Sequence, residues 1–406
     1  MGFFSKKTVV APAPAAPRAK ATQKPAPIAI TGYGIACHAG DRTRSLISSI
    51  LGQMSGAALS DTFKVKSENG GGYTEVRTAP VEEFGDMPVL DRMYELTTIA
   101  LTNATAQLPA NVKPESLLIV LTVAPEFIMH LMEIDPQYLQ SHLEEKIPRL
   151  ATATFRIQPN TTSTSTSALR TAIAELNEGK WQAIIYGGGD SLLSMETCLD
   201  LNEQNRLNTV SSNTGLVPGE GAAFVVLQTN DTAKTNTTPA LAYLSGLGVA
   251  AEPNARNADL AATEGLSSAI NQAIAQAGIA ATDIQGIVHN LGAETVHAIE
   301  WYQTTKKIWP RRVNEQQRMA VQLGEIEQAD MPDDPIPKEV LPYKTMGEVG
   351  AAALPMQLAT ALSWIEYDAH QSRWGFPVRQ HLLVCDTPAV AERGAIVISK
   401  TLASAT

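Results

Sequence analysis

Residues able to do covalent or metal chemistry are sparse in this chain. The three cysteines, Cys37, Cys198 and Cys385, form no CxxC pair, so neither a disulfide framework nor a thiolate zinc site is expected. The seven histidines are scattered without an HExxH, and His289 and His297 do not have a spacing typical of paired metal ligands. The run TTSTSTS (161–167) sets hydroxyls at the start of the helical pattern ALRTAIAELNEGKW (168–181). Such hydroxyls either satisfy the free N–H groups of a first helical turn or offer a nucleophile that needs a general base. GGGD (187–190) is not followed by Lys-Ser, which excludes a phosphate-cradling P-loop and leaves close packing as the reading of the glycines.

These residues sit between apolar runs of strand length and longer runs of helical period. PIAITGYGIACHAG is a strand and glycine turn, VLDRMYELTTIALTNATAQL (89–108) a helix, SLLIVLT (116–122) and AIIYGGGDS (183–191) buried strands. Strands without alternation, interleaved with helices, predict a mainly parallel sheet covered on both faces. The second part repeats the pattern, with helices at 262–278 and 349–367 and a strand and turn at 285–294. GEGAAFVVLQ (219–228) and ERGAIVISK (392–400) close the two parts with similar phrases, which suggests two related halves. The division expected is a disordered Ala/Pro/Lys leader at 1–26, halves at 27–230 and 231–406, and a charged insertion at about 303–338.

In register, ITGYGIACHAG, LDRMYELTTIAL, TTSTSTSALRTAI, IIYGGGDS, GLVPGEGAAFVVLQ, GIVHNLGAETVHAIE and YKTMGEVGAAA resemble the β-ketoacyl synthase branch of the thiolase-fold superfamily, across nearly all of residues 27–400. The resemblance implies a five-layered αβαβα fold, dimerisation, and a decarboxylative condensation carried by a cysteine and two histidines in fatty-acid or polyketide synthesis. The cysteine position falls on Ser165, whose hydroxyl lacks an easily formed thiolate. The first histidine is His289, with Gly292 and Glu300 in register, but Leu291 and Ala293 replace two threonines and His297 an aspartate. The second histidine aligns with Glu348, after a retained Lys344. A carboxylate there repels a malonyl carboxylate. The glycine-rich loop of the family's oxyanion hole has no counterpart in HLLVCDTPAVAERGAIVI, and TVAP (122–125) lacks the glycines expected after its strand. Glu220, in the GEG phrase, is read as a supporting residue beside Glu300 and Lys344.

Two classes of function follow. One is a condensing-enzyme homologue that no longer condenses: a chain-length-factor-like subunit paired with an active ketosynthase, or an adaptor that recruits another protein. The other is enzymatic: an acyltransferase or thioesterase using Ser165, His289 and Glu348 as a serine–histidine–acid triad, or a working 3-oxoacyl synthase. No cofactor is implied; an acyl thioester of phosphopantetheine or coenzyme A would be the substrate, and an acyl carrier protein is a candidate partner for the insertion. That insertion opens with Lys306, Lys307, Arg311 and Arg312, with Trp301 and Trp309 nearby, and ends with Glu325, Glu327, Asp330, Asp333 and Asp334.

Across the 406 residues, 44% hydrophobic and 18% charged content rule out a wholly disordered chain, and a net charge of −10 argues against nucleic acid or a membrane surface as the main partner. No apolar run reaches the ~20 residues of a membrane span. With no signal-peptide pattern at MGFFSKK, a reducing cytoplasm is the expected address.

Overall fold

A computed structural model describes residues 27–67, 71–159, 165–253, 255, 264–291, 293–310, 315–327, 335–387 and 391–402. The leader, Gly292 and parts of the insertion and of the TTSTSTS run lie outside the described residues. The strands, in chain order, are β1 (Ile28–Cys37), β2 (Ala58–Lys66), β3 (Tyr73–Thr78), β4 (Leu117–Val123), β5 (Thr154–Pro159) and β6 (Ala183–Ser191). They continue with β7 (Glu220–Thr229), β8 (Ala242–Ala251), β9 (Gly286–His289), β10 (Lys338–Val340), β11 (His381–Asp386) and β12 (Glu392–Ser399).

β2 and β3 form a separate hairpin, while the other ten join in the order β10-β9-β11-β12-β8-β1-β7-β6-β4-β5. Outward from the centre, β1-β7-β6-β4-β5 and β8-β12-β11-β9-β10 have the same chain order. They also share the same directions, two antiparallel pairings followed by two parallel ones. The halves meet through a short antiparallel pairing of Ile28–Ile30 with Ala242–Leu244.

Strands β1, β4 and β6 are buried at every position, as unalternating apolar runs require when helices cover both faces. Helix Val89–Thr105 packs on β1, β6 and β7 outside the first half, and Gly265–Ala277 on β8 and β12 outside the second. Between the halves lie Ser165–Asn177, which touches β6, β7, β8 and β12, and Ala353–Gln371, which touches β1, β6, β7, β9 and β11. The result is five layers, α, β, α, β, α. The central core gathers Ile30, Leu118, Ile184, Val288, Leu358, Leu382 and Ile396 from both halves. Among the described residues no helix is long and apolar enough to cross a membrane.

The glycines of β6 have a packing reason. A Cβ on Gly188 would stand 2.4 Å from the Ala351 carbonyl oxygen, and one on Gly189 2.1 Å from Thr97 Oγ1. The backbone of β6 therefore lies directly under the approach to helix Ala353–Gln371.

Candidate functional site

Strand ends and the starts of the two central helices enclose a cavity of about 230 Å³, lined by Ser165, Arg206, Glu294, His297, Glu348, Gln357 and Asp386 among others. Ser165 opens the helix Ser165–Asn177, and its carbonyl accepts the Tyr186 hydroxyl at 2.7 Å. Its own hydroxyl has no imidazole or carboxylate bonded to it among the described residues.

Asp386, closing β11, bonds the first turn of that helix. Its Oδ2 accepts from Thr166 N at 3.1 Å and Thr166 Oγ1 at 2.9 Å. The positive end of a helix attracts such an anion. A related contact lies before the other central helix: Asp190, next to last in β6, accepts Ala351 N on Oδ2 at 3.0 Å, in the 3-10 turn Gly350–Ala352 that leads into that helix. Each half thus carries a strand-end aspartate that binds the start of the partner half's central helix. Burial raises both carboxyls to about 6, against the pull of those hydrogen bonds.

Glu348 follows the short helix Tyr343–Met346 and Gly347, whose φ of 72° turns the chain. Its Oε1 accepts Gly350 N at 3.2 Å. Burial first, then the neighbouring charge of Glu294, lifts the Glu348 carboxyl to about 7, with Arg206 opposing. Arg206 grips Glu294 with Nε–Oε1 at 2.6 Å and Nη2–Oε2 at 2.8 Å. Burial alone would lower the Arg206 guanidinium, but that carboxylate holds it above its ordinary value. His297 Nδ1 stands 3.6 Å from Glu294 Oε2.

The remaining expected residues lie elsewhere. His289 is 1% exposed and does not line the cavity. Its Nδ1 accepts Leu291 N at 3.0 Å, its Nε2 meets Glu339 Oε2 at 3.3 Å, and its ring lies 4.5 Å from that of Trp301. Both ring nitrogens are engaged, so Ser165, His289 and Glu348 form no hydrogen-bonded relay. Burial would raise Glu339, but the bonds from His289 and Trp301 and the charge of Lys344 leave it below its ordinary value.

Lys344 itself is exposed. Glu300 forms a buried two-point pair with Arg393, at 2.7 and 3.0 Å. Glu220 holds Arg92 through both oxygens and accepts Val81 N at 2.7 Å and Ser191 Oγ at 2.9 Å. Both glutamates act as structural anchors. Trp301 and Trp309 belong to the core as well, with indole N–H groups on Glu339 and Ala281. Arg311, Arg312, Asp330, Asp333 and Asp334 lie outside the described residues.

All three cysteines are buried and outside any disulfide; burial pushes Cys37 and Cys198 to about 12 and Cys385 higher still, far from a reactive thiolate. Among the described residues no group of three or more His, Cys, Asp or Glu side chains could hold a metal ion.

Comparison with solved structures decides the architecture. A ketosynthase complexed with its acyl-carrier protein, from a type II polyketide synthase and bound to a hexaketide, superposes with a TM-score of 0.67 at 14% identity, covering 93% of this chain and all 100% of that one. The fold is that of the β-ketoacyl synthases. A synthase from Burkholderia phymatum STM815 (TM-score 0.66, 13% identity, 93% and 100% covered) and the ishigamide ketosynthase/chain length factor (0.65, 13%, 92% and 99%) have the same architecture. A family profile described as Beta-ketoacyl synthase, N-terminal domain, matches residues 160–233, from the hydroxyl run through the GEG strand. No curated protein sequence matches the chain.

Proposed function

We propose that this ketosynthase-like chain is a non-catalytic partner, either a chain-length-factor-like subunit beside an active ketosynthase or a scaffold that recruits another protein. The observation that carries this reading is the carboxylate of Asp386 on Thr166 N and Oγ1, in the first turn of the helix that Ser165 opens. A condensing site needs that helix end for a thiolate and an unoccupied pair of donors for an oxyanion. Here an anion already holds it, and Glu348 adds a second acid where an imidazole should polarise a thioester. A malonyl carboxylate would enter against the charge of Asp386 and, as pH rises through about 7, that of Glu348 as well. The cavity, about 230 Å³, is also smaller than the usual ligand cleft of roughly 300–1,000 Å³.

Pairing with a second chain has a structural opening in β5, which ends the sheet with one edge unpaired among the described residues. The partner is a second copy or an active ketosynthase, and an acyl carrier protein is the further candidate through the 303–338 segment. Buried, reduced cysteines suit a cytoplasmic address.

The test is intact mass after incubation with acyl and malonyl thioesters of coenzyme A and carrier protein, with Ser165→Ala as control. The reading expects no adduct and co-purification with a synthase that has its cysteine and both histidines. An acyl-sized gain lost in Ser165→Ala would overturn it in favour of a serine-dependent acyltransferase.

A further inference from the structure

A second cleft, of about 630 Å³, opens at the other end of the sheet, where the parallel strands β9, β10 and β11 begin. The helix Ala353–Gln371 joins the two places. Gln357, near its start, lines the cavity described above, and Asp368 and Gln371, near its end, line this one. The volume falls within the roughly 300–1,000 Å³ usual for small ligands.

Arg379 is the fixed point of the cleft wall. Asp368 Oδ1 and Oδ2 both accept from its Nη1, each at 2.7 Å, and Oδ2 also accepts the Arg379 backbone N–H at 3.2 Å. The guanidinium carbon lies 4.3 Å from the centre of the buried Trp364 ring. A Cβ on Gly286 would stand 2.8 Å from that ring, so the glycine makes room for the indole. Held in this way, the side chain has a set direction. Its Nε and Nη2 donate no hydrogen bond among the described residues, yet neither is closed off from solvent. Their N–H groups lie parallel on one edge of the guanidinium, the fork that matches two oxygens of a carboxylate or a phosphate.

The charge count chooses between those two anions. Asp368 supplies one negative charge to the lining, and Arg379 and Lys338 one positive charge each, which leaves a single positive charge. Lys338, the first residue of β10, is exposed and has no ion pair among the described residues. A carboxylate balances that charge, whereas a phosphate monoester, at about −1.5 to −2, overshoots it. Leu51, Tyr367, Phe376, Pro377 and Val378 give the cleft its apolar side, and Phe376 is 60% exposed. A flat ring attached to the carboxylate would cover that surface and stack on the aromatic side chains.

We propose that this cleft binds an aromatic carboxylate, with its oxygens on Nε and Nη2 of Arg379, its charge balanced by Lys338 and its ring against Phe376 and Tyr367. The proposal is independent of the non-catalytic reading, because it involves neither Ser165 nor the cavity around Glu348.

The experiment is a calorimetric titration of the full chain with 2-naphthoate, 2-naphthalenemethanol, 2-naphthyl phosphate and octanoate. 2-Naphthoate should bind saturably. The alcohol, which keeps the ring and loses the charge, should bind roughly tenfold more weakly or worse. The phosphate and octanoate should also bind more weakly than 2-naphthoate. Lys338→Ala and Phe376→Ala alter exposed residues, so the chain stays folded, and each should weaken 2-naphthoate by roughly threefold or more. Arg379→Lys keeps a cation for Asp368 and loses the fork, which should cost roughly tenfold in affinity. Where that variant fails to fold, the two exposed substitutions still decide the matter. No saturable binding in wild type, an alcohol, phosphate or octanoate that binds as tightly as 2-naphthoate, or an affinity unmoved by both exposed substitutions would overturn the proposal. An acyl adduct on Ser165 with 2-naphthoate binding retained would sink only the non-catalytic reading.

Discussion

Replacing Asp386 by Asn should make the protein less sensitive to pH while keeping the hydrogen bonds of the helix start. The amide oxygen can still accept Thr166 N and Oγ1, but it has no charge to strip of water. Burial lifts the Asp386 carboxyl from 3.8 to about 6. A group that binds its proton more tightly folded than unfolded adds stability below its unfolded value and loses it as pH rises through its folded value. Wild type therefore loses stability from this side chain across about pH 4 to 6, by roughly 3 kcal/mol for a shift of about two units. The Asn variant has no such contribution. Urea denaturation of both proteins at several points from about pH 4 to pH 7.5 reads the difference directly, and titrations shared by both chains cancel. Wild type should gain on Asp386→Asn as pH falls, by up to about 3 kcal/mol. A constant gap across that range would refute the claim that this buried carboxyl titrates in the folded state.

Asp190→Asn should behave in the same way over the same window, since burial raises Asp190 to about 6 as well; denaturation across that pH range checks it. Ser165→Cys should yield no condensation product from acyl and malonyl thioesters by mass spectrometry, because Asp386 and Glu348 remain; product formation would show those acids to be harmless. Glu300→Ala leaves Arg393 charged and buried, so chemical denaturation should show a loss of roughly 3–5 kcal/mol. Gly188→Ala pushes a methyl against the Ala351 carbonyl and should lower the unfolding midpoint, whereas an unchanged midpoint would mean that β6 and the central helix can separate freely.

The features legible in the sequence are those written along a single stretch of chain. Unalternating runs such as LLIVLTV form strands covered on both faces, and the echo between GEGAAFVVLQ and ERGAIVISK corresponds to β7 and β12, which hold matching places in the two halves. Ser165 and Glu348 both reach the cavity, while His289, placed by the same alignment, is turned into the core by Glu339 and Trp301. Arg206 and Glu294, a two-point ion pair of the cavity wall, belong to segments far apart in sequence and carry no local mark. In the family pattern Asp386 shows only as an absence of glycines. One signal is visible all the same: an apolar run ending in aspartate, GGGDS in one half and LLVCDT in the other. What that aspartate bonds depends on a helix from the opposite half, which no local pattern reveals.

The crossed aspartate contacts make the two halves dependent on each other. Asp190 holds the turn that leads into a helix of the second half, and Asp386 bonds the first turn of a helix of the first half. A half expressed alone would present an uncapped helix start and an orphaned acid on the same face. Each half therefore depends on the other to complete the start of its central helix. Cutting the chain between β7 and β8 should expose that dependence: two fragments that are insoluble apart and recover the fold when produced together.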